Sequence, residues 1–172
     1  QILIDQWVPN GPYRTTFLAQ DDETNLSNIM TAIATLSKSE LAGERVFTAY
    51  DNRDQEDEHS CFADNTHRDL RLSFNGIRDV YLGRNGALEG TSINDLVFEA
   101  NPTLGASIMG QLNTAQIAVY GTAIPFDFAI SDDATRPDVI AAVTALRTLG
   151  DRIVEGGSAL GIEVRIESTH WR

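Results

Sequence analysis

Asp64–Gly83 reads DNTHRDLRLSFNGIRDVYLG, and its spacing decides the fold class. His67, Leu70, Phe74, Ile77 and Tyr81 recur at steps of 3, 4, 3 and 4. That rhythm puts them on one inward stripe of an α-helix. Asp64 stands where an N-cap belongs, and Gly83 with Gly86 ends the run. The same rhythm recurs on both sides. Leu26, Ile29, Met30, Ile33 and Leu36 follow an acidic start at Asp21–Asn25, suited to a helix N-terminus. Leu104, Ile108, Leu112, Ala115 and Val119 run between Pro102, a kink or restart, and Gly121. Val139, Ile140, Val143, Leu146 and Ile153 follow Thr135 and Pro137, and Gly161 is the natural C-cap. At 1.5 Å per residue this last helix would be about 37 Å long.

The connections are less regular. Ser92 with Asp95 three residues on is close to a capping box. Leu41, Val46, Phe47 and Tyr50 extend the second helix, with a kink or break expected near Lys38, where Ser37-Lys38-Ser39 interrupts the pattern and Gly43 weakens it. Gln1–Val8 reads as the last turns of a helix, stopped by Pro9-Asn10-Gly11-Pro12. Tyr13–Gln20 and Pro125–Ala129 read as connectors. Ile162–Glu167 alternates like a strand but has no partner strand, so residues 163–172 are expected to be an extended tail. The whole chain, 1–172, is predicted to be one all-α domain of roughly four main helices in an antiparallel bundle. Residues 1–22 form its incoming helix end and connector. Gln1 is followed at once by apolar residues, with no methionine and no leader, so a fragment of a longer chain or a processed product is expected.

Composition narrows the function. Net charge is −12 with a sequence pI near 4.5, which argues against nucleic acid and anionic membrane as partners. The single Cys61 excludes an internal disulfide. No apolar run reaches transmembrane length.

Donor chemistry concentrates in Asp51–Asp69, DNRDQEDEHSCFADNTHRD, which holds two of the chain's three histidines and its only cysteine. Glu56 and His59 stand at i, i+3, as do Asp64 and His67, and Glu167 and His170. That spacing shares a face if the segment is helical. A mononuclear site of His59, His67 and Glu56 or Glu58 would suit iron or zinc. A di-iron centre needs further inward glutamates from two other helices, and these are not evident. Hydrolysis has no H-E-x-x-H to rest on, and Cys61 at i+2 from His59 does not face it on a helix. A structural reading stands beside these. In it His67 is a core histidine, Asp64 a cap, Cys61 a small filler and Asp51, Asp54 and Asp57 a solvated face. Burying so many polar groups without partners would cost several kcal/mol, so they either face water or satisfy one another. Arg45 is the nearest candidate counter-charge.

Gly43-Glu44-Arg45, Ala49-Tyr50 and Asp54–Asp69 (DQEDEHSCFADNTHRD) together resemble the imelysin-like proteins, the iron-regulated subgroup in particular. That subgroup carries D-E-H-S-C-F-S-D-N-T-H, with serine where this chain has Ala63. The likeness continues through Gly76-Ile77, Val80–Gly83, Ser92–Val97, Pro125-Phe126-Asp127 and Ala159–Ile162. It implies a helical protein of two bundle-like halves, bacterial, periplasmic or anchored at the outer membrane, and associated with iron uptake. A metallopeptidase label goes with the founding member. The family's G-x-H-x-x-E does not occur in this chain, so the resemblance implies the C-terminal half, partnered by an N-terminal half that carries that motif. The implied site lies between the halves. This chain would supply Arg45, Glu58, His59, Cys61, Asp64, Asn65, His67 and Asp69 to bind iron or an iron-containing ligand.

Overall fold

The computed structural model describes residues 1–166. Two short helices come first, α1 (Ile2–Trp7) and α2 (Pro12–Ala19). Where a connector was expected at Tyr13, Pro12 pre-sets the first turn of α2. Trp7 packs on Tyr13 and Phe17, with ring centroids 4.9 and 5.6 Å away. A Cβ at Gly11 would fall 2.5 Å from the Gln6 carbonyl oxygen, so the turn needs glycine.

The third helix, α3 (Asp22–Thr35), starts at Asp21, whose carboxylate accepts the Thr24 N–H at 2.8 Å. Of the kink or break expected near Lys38, the break does not occur. The chain continues as a π-helical stretch over Leu36–Phe47 and then as α4 (Thr48–Asn52). Two contacts explain how an interrupted pattern stays wound. The buried Ser37 hydroxyl donates to the Leu146 carbonyl at 2.8 Å. Gly150 lets the last helix approach so closely that a Cβ there would lie 2.7 Å from Lys38 Cβ and 3.0 Å from the Ala34 oxygen.

After two 3₁₀ turns, Gln55–Asp57 and Cys61–Ala63, comes α5 (Thr66–Tyr81), which buries Thr66, Leu70, Phe74, Ile77 and Tyr81. His67 is only half-buried; Thr66 takes the inward place in the first turn. A hairpin follows, β1 (Arg84–Asn85) against β2 (Leu88–Glu89), turning on Gly86 at φ 61°. It was not expected, because two residues per strand are too few to show a period. The capping box at Ser92 and Asp95 is formed and opens α6 (Ile93–Ala100). Pro102 is a restart: Asn101 caps α7 (Pro102–Gly121) through the Leu104 N–H at 3.1 Å. The connector expected at Pro125–Ala129 is a short helix, α8 (Phe126–Ser131), held by burial of Phe126, Ala129 and Ile130.

The last helix, α9 (Arg136–Ala159), is the centre of the bundle, packed against α7, the π-helical stretch and α3. Its Val139, Val143, Leu146, Leu149 and Ile153 meet Met30, Leu41, Phe74 and Ile108 in one core. Gly161, at φ 72°, closes it, with Ile162 N–H donating to Gly157 O at 2.9 Å and Gly161 N–H to Ser158 O at 3.1 Å. Beyond it the chain is neither helix nor strand through Ile166. It lies along α3, with Val164 buried, Ser27 Oγ donating to Glu163 O at 2.6 Å and Arg165 N–H to Thr31 Oγ1 at 3.3 Å. Glu167 and His170 lie outside the described residues. Among the described residues the fold is all-α apart from the hairpin, and no helix is long and apolar enough to cross a membrane.

Candidate functional site

Between the end of α4 at Asn52 and the start of α5 at Thr66 the polar stretch is not α-helical, and this changes which side chains meet. Helix α4 stops at Arg53 (φ 53°), and Asp54 caps the single turn Gln55–Asp57 through the Glu56 N–H at 2.9 Å. Glu58 is then extended. Glu56 and His59 therefore share no helical face, and the i, i+3 argument for them fails. Asp64 is not the cap of α5 either. It sits in the left-handed region (φ 48°, ψ 40°), where aspartate is tolerated, and ends the Cys61–Ala63 turn. Asn65 holds the cap position, and its side chain makes no capping bond.

The loop is tied to the first turns of α5 through Asp69. Its Oδ2 accepts the Ser60 hydroxyl at 2.6 Å and lies 3.2 Å from His59 Nδ1. The Asn65 amide reaches Oδ1 at 3.5 Å. These partners, Ser60 first, hold the Asp69 carboxyl below its ordinary value against the opposing effect of burial; His59 and the Arg45 charge add to them. Thr66, fully buried, accepts the Ser60 N–H at 3.2 Å. Arg45 comes from the π-helical stretch. It pairs with Glu40 at 3.2 Å and donates to Ser73 Oγ at 3.4 Å, so its charge reaches the cluster without a direct bond to it.

Beneath this network lies Glu58, only 5% exposed, with neither carboxylate oxygen in a hydrogen bond. Burial pushes its carboxyl up, and Asp127 and Asp64 push it further; the facing Thr66 hydroxyl opposes this without reaching bonding geometry. Asp127, in the first turn of α8, has a buried Oδ1 that is also unpartnered. So does His67 at Nδ1. Cys61 is a half-buried free thiol, and the neighbouring Phe62 is fully exposed.

The family model described as imelysin matches residues 1–153. The chain belongs to the imelysin family. No curated protein is similar enough to match it. The imelysin match runs from α1 into α9 and takes in the whole polar loop.

In this imelysin-family chain the loop brings together His59, Ser60, Asn65, Thr66 and Asp69, and sets Glu58 below them. It does not bring Glu56, which is exposed. Among the described residues no group of three or more His, Cys, Asp or Glu side chains could hold a metal ion, the set Glu56, His59 and His67 included. The described residues therefore do not by themselves fit a bare ion. What they offer is one exposed imidazole backed by a carboxylate, and a buried acid with unmet hydrogen-bonding capacity. Sequence reasoning overlooked Ser60, Thr66 and Asp127. Ser60 and Thr66 were hidden by assuming helical geometry, in which i, i+6 pairs carry no meaning. Asp127 lay in the Pro125-Phe126-Asp127 stretch that carries the family likeness, but its place near Glu58 is found only in the folded structure.

Proposed function

We propose that this imelysin-family chain is a binding component of bacterial iron uptake, in the periplasm or anchored at the outer membrane. In this reading Glu58–Asp69 is one wall of a ligand site, and iron or an iron-containing group is the cargo. The other wall comes from a second half of the same protein that carries Gly-x-His-x-x-Glu, and outer-membrane iron-uptake proteins are the partners. His59 and His67 are imidazoles of the kind iron and zinc accept. Because the described residues gather no three-donor set, the remaining donors belong to the cargo or to the second half.

The observation that carries this reading is Glu58. A buried carboxylate with both oxygens unpartnered costs several kcal/mol if ionised. The chain places it directly beside His59, in the segment that most strongly carries the imelysin likeness. A folded protein that needed only a core would have an apolar residue there.

Titration of the full-length protein with ferric citrate, followed by intrinsic fluorescence, tests the proposal. His59→Ala and Glu58→Gln should each weaken binding on the order of tenfold, which is about 1.4 kcal/mol, with the helical circular dichroism unchanged. Equal affinity in wild type and both variants would remove the loop from the site.

A further inference from the structure

The pair formed by Asp69 and His59 says more than that two polar residues are close. Asp69 Oδ2 accepts the Ser60 hydroxyl at 2.6 Å, and Oδ1 is 3.5 Å from the Asn65 amide nitrogen. An aspartate that already accepts the Ser60 hydroxyl through Oδ2 is, as a carboxylate, an acceptor and not a donor. His59 Nδ1, 3.2 Å from the same Oδ2, must then carry the proton. A neutral imidazole has one proton to place, so Nε2 keeps its lone pair. The ring is 41% exposed, and no described residue bonds Nε2. The backbone is pinned as well, since the N–H of Ser60, the next residue, donates to buried Thr66 Oγ1 at 3.2 Å.

We propose that Asp69 is a positioning residue that holds His59 in its Nδ1–H form, so that the atom offered to a ligand is His59 Nε2. This rests on the binding reading above for the identity of the ligand. It assigns Asp69 and Ser60 a task distinct from contact: both fix the orientation and tautomer of the group that meets the ligand. Carboxylate-backed histidines are the usual form of imidazole ligand, because the second bond fixes the ring and raises the basicity of the free nitrogen. The geometry also separates the two histidines. His59 has a carboxylate behind it and an open nitrogen in front, whereas His67 has its Nδ1 buried and unpartnered.

The test is long-range proton–nitrogen NMR of the ¹⁵N-labelled chain, at a pH above the ordinary imidazole range, in wild type, Asp69→Ala, Asp69→Asn and Ser60→Ala. The expected result is an Nδ1–H tautomer at His59 in wild type and a shift towards Nε2–H in Asp69→Ala. Asp69→Asn keeps the shape but offers an amide N–H to Nδ1, so it too should shift His59 towards Nε2–H with the fold intact, which guards against misreading a misfolded alanine variant. Zn²⁺ added to the full-length protein, whose second half supplies further donors in the reading above, should perturb His59 Nε2, with affinity about 10–100-fold lower in Asp69→Ala. An Nε2–H tautomer in wild type, or a tautomer indifferent to Asp69→Ala with the fold intact, overturns the proposal. An Nδ1–H form that depends on Asp69, with no Zn²⁺ response at all, supports the positioning role and counts against the metal-bearing cargo instead.

Discussion

Replacing Glu58 by glutamine should stabilise the ligand-free chain at neutral pH. The side chain is 5% exposed and neither oxygen is hydrogen-bonded. Burial, then Asp127 and Asp64, raise its carboxyl above the ordinary value. The folded state therefore holds this proton to higher pH than the unfolded state does. The residue's contribution to stability is full below the ordinary glutamic acid range and is lost as pH rises through the folded value. Each pKa unit is worth about 1.4 kcal/mol, and a buried group left unsatisfied costs about 1–3 kcal/mol. Glutamine keeps the shape, removes the charge, and can pair with the facing Thr66 hydroxyl. The expected gain is about 1–3 kcal/mol near neutrality. In a chain of this size that raises Tm by about 2–12 °C. Urea unfolding followed by circular dichroism across an acid-to-neutral series would show the two curves together in acid and separating as pH rises. A gap that does not change with pH, or a Glu58→Gln variant less stable than wild type at neutrality, would mean that the carboxylate is satisfied after all.

Other substitutions probe the surrounding structure. Asp69→Asn has the opposite pH signature: the lowered carboxyl gives stability that is present above the ordinary aspartate range and lost as pH falls through the folded value. The variant should therefore be about 1–3 kcal/mol less stable at neutral pH, with the gap closing in acid in the same urea series. Ser92→Ala removes the hydroxyl half of the capping box, the bond from the Asp95 N–H, and leaves the residue 92 N–H bonded to the Asp95 carboxylate; it should cost about 1 kcal/mol in chemical denaturation. Gly150→Ala sets a Cβ 2.7 Å from Lys38 Cβ, forcing α9 from the π-helical stretch. A loss of about 1–3 kcal/mol by thermal unfolding is expected, and a neutral result would show that the two helices can part without penalty.

The helices that build the core were legible because burial leaves a period. Phe74, Ile77 and Tyr81, or Ile108, Leu112 and Ala115, are separated as a helix separates them, and all are buried. The caps at Ser92 and Gly161 were legible for the same local reason, and at Asp21 the acidic helix start was legible but not the capping bond to Thr24. The π-helical stretch was not. Ser37, Lys38 and Gly43 look like a break until Leu146 and Gly150 arrive from a distant helix. The loop was misjudged through its own regularity: E-x-x-H and D-x-x-H spacings imply a shared face only on a helix, and Arg53 and Asp64 in left-handed conformations deny the segment that shape. The pairing of His59 with Asp69, ten positions on, follows from the loop folding back on α5, which no window of sequence contains.

Metal content of the full-length protein, isolated at neutral pH without chelator and measured by mass spectrometry, tests the central claim most directly. Near-stoichiometric iron is expected, falling sharply in His59→Ala with the helical fold retained. Protein free of metal, or metal that stays bound when His59 is removed, would contradict it.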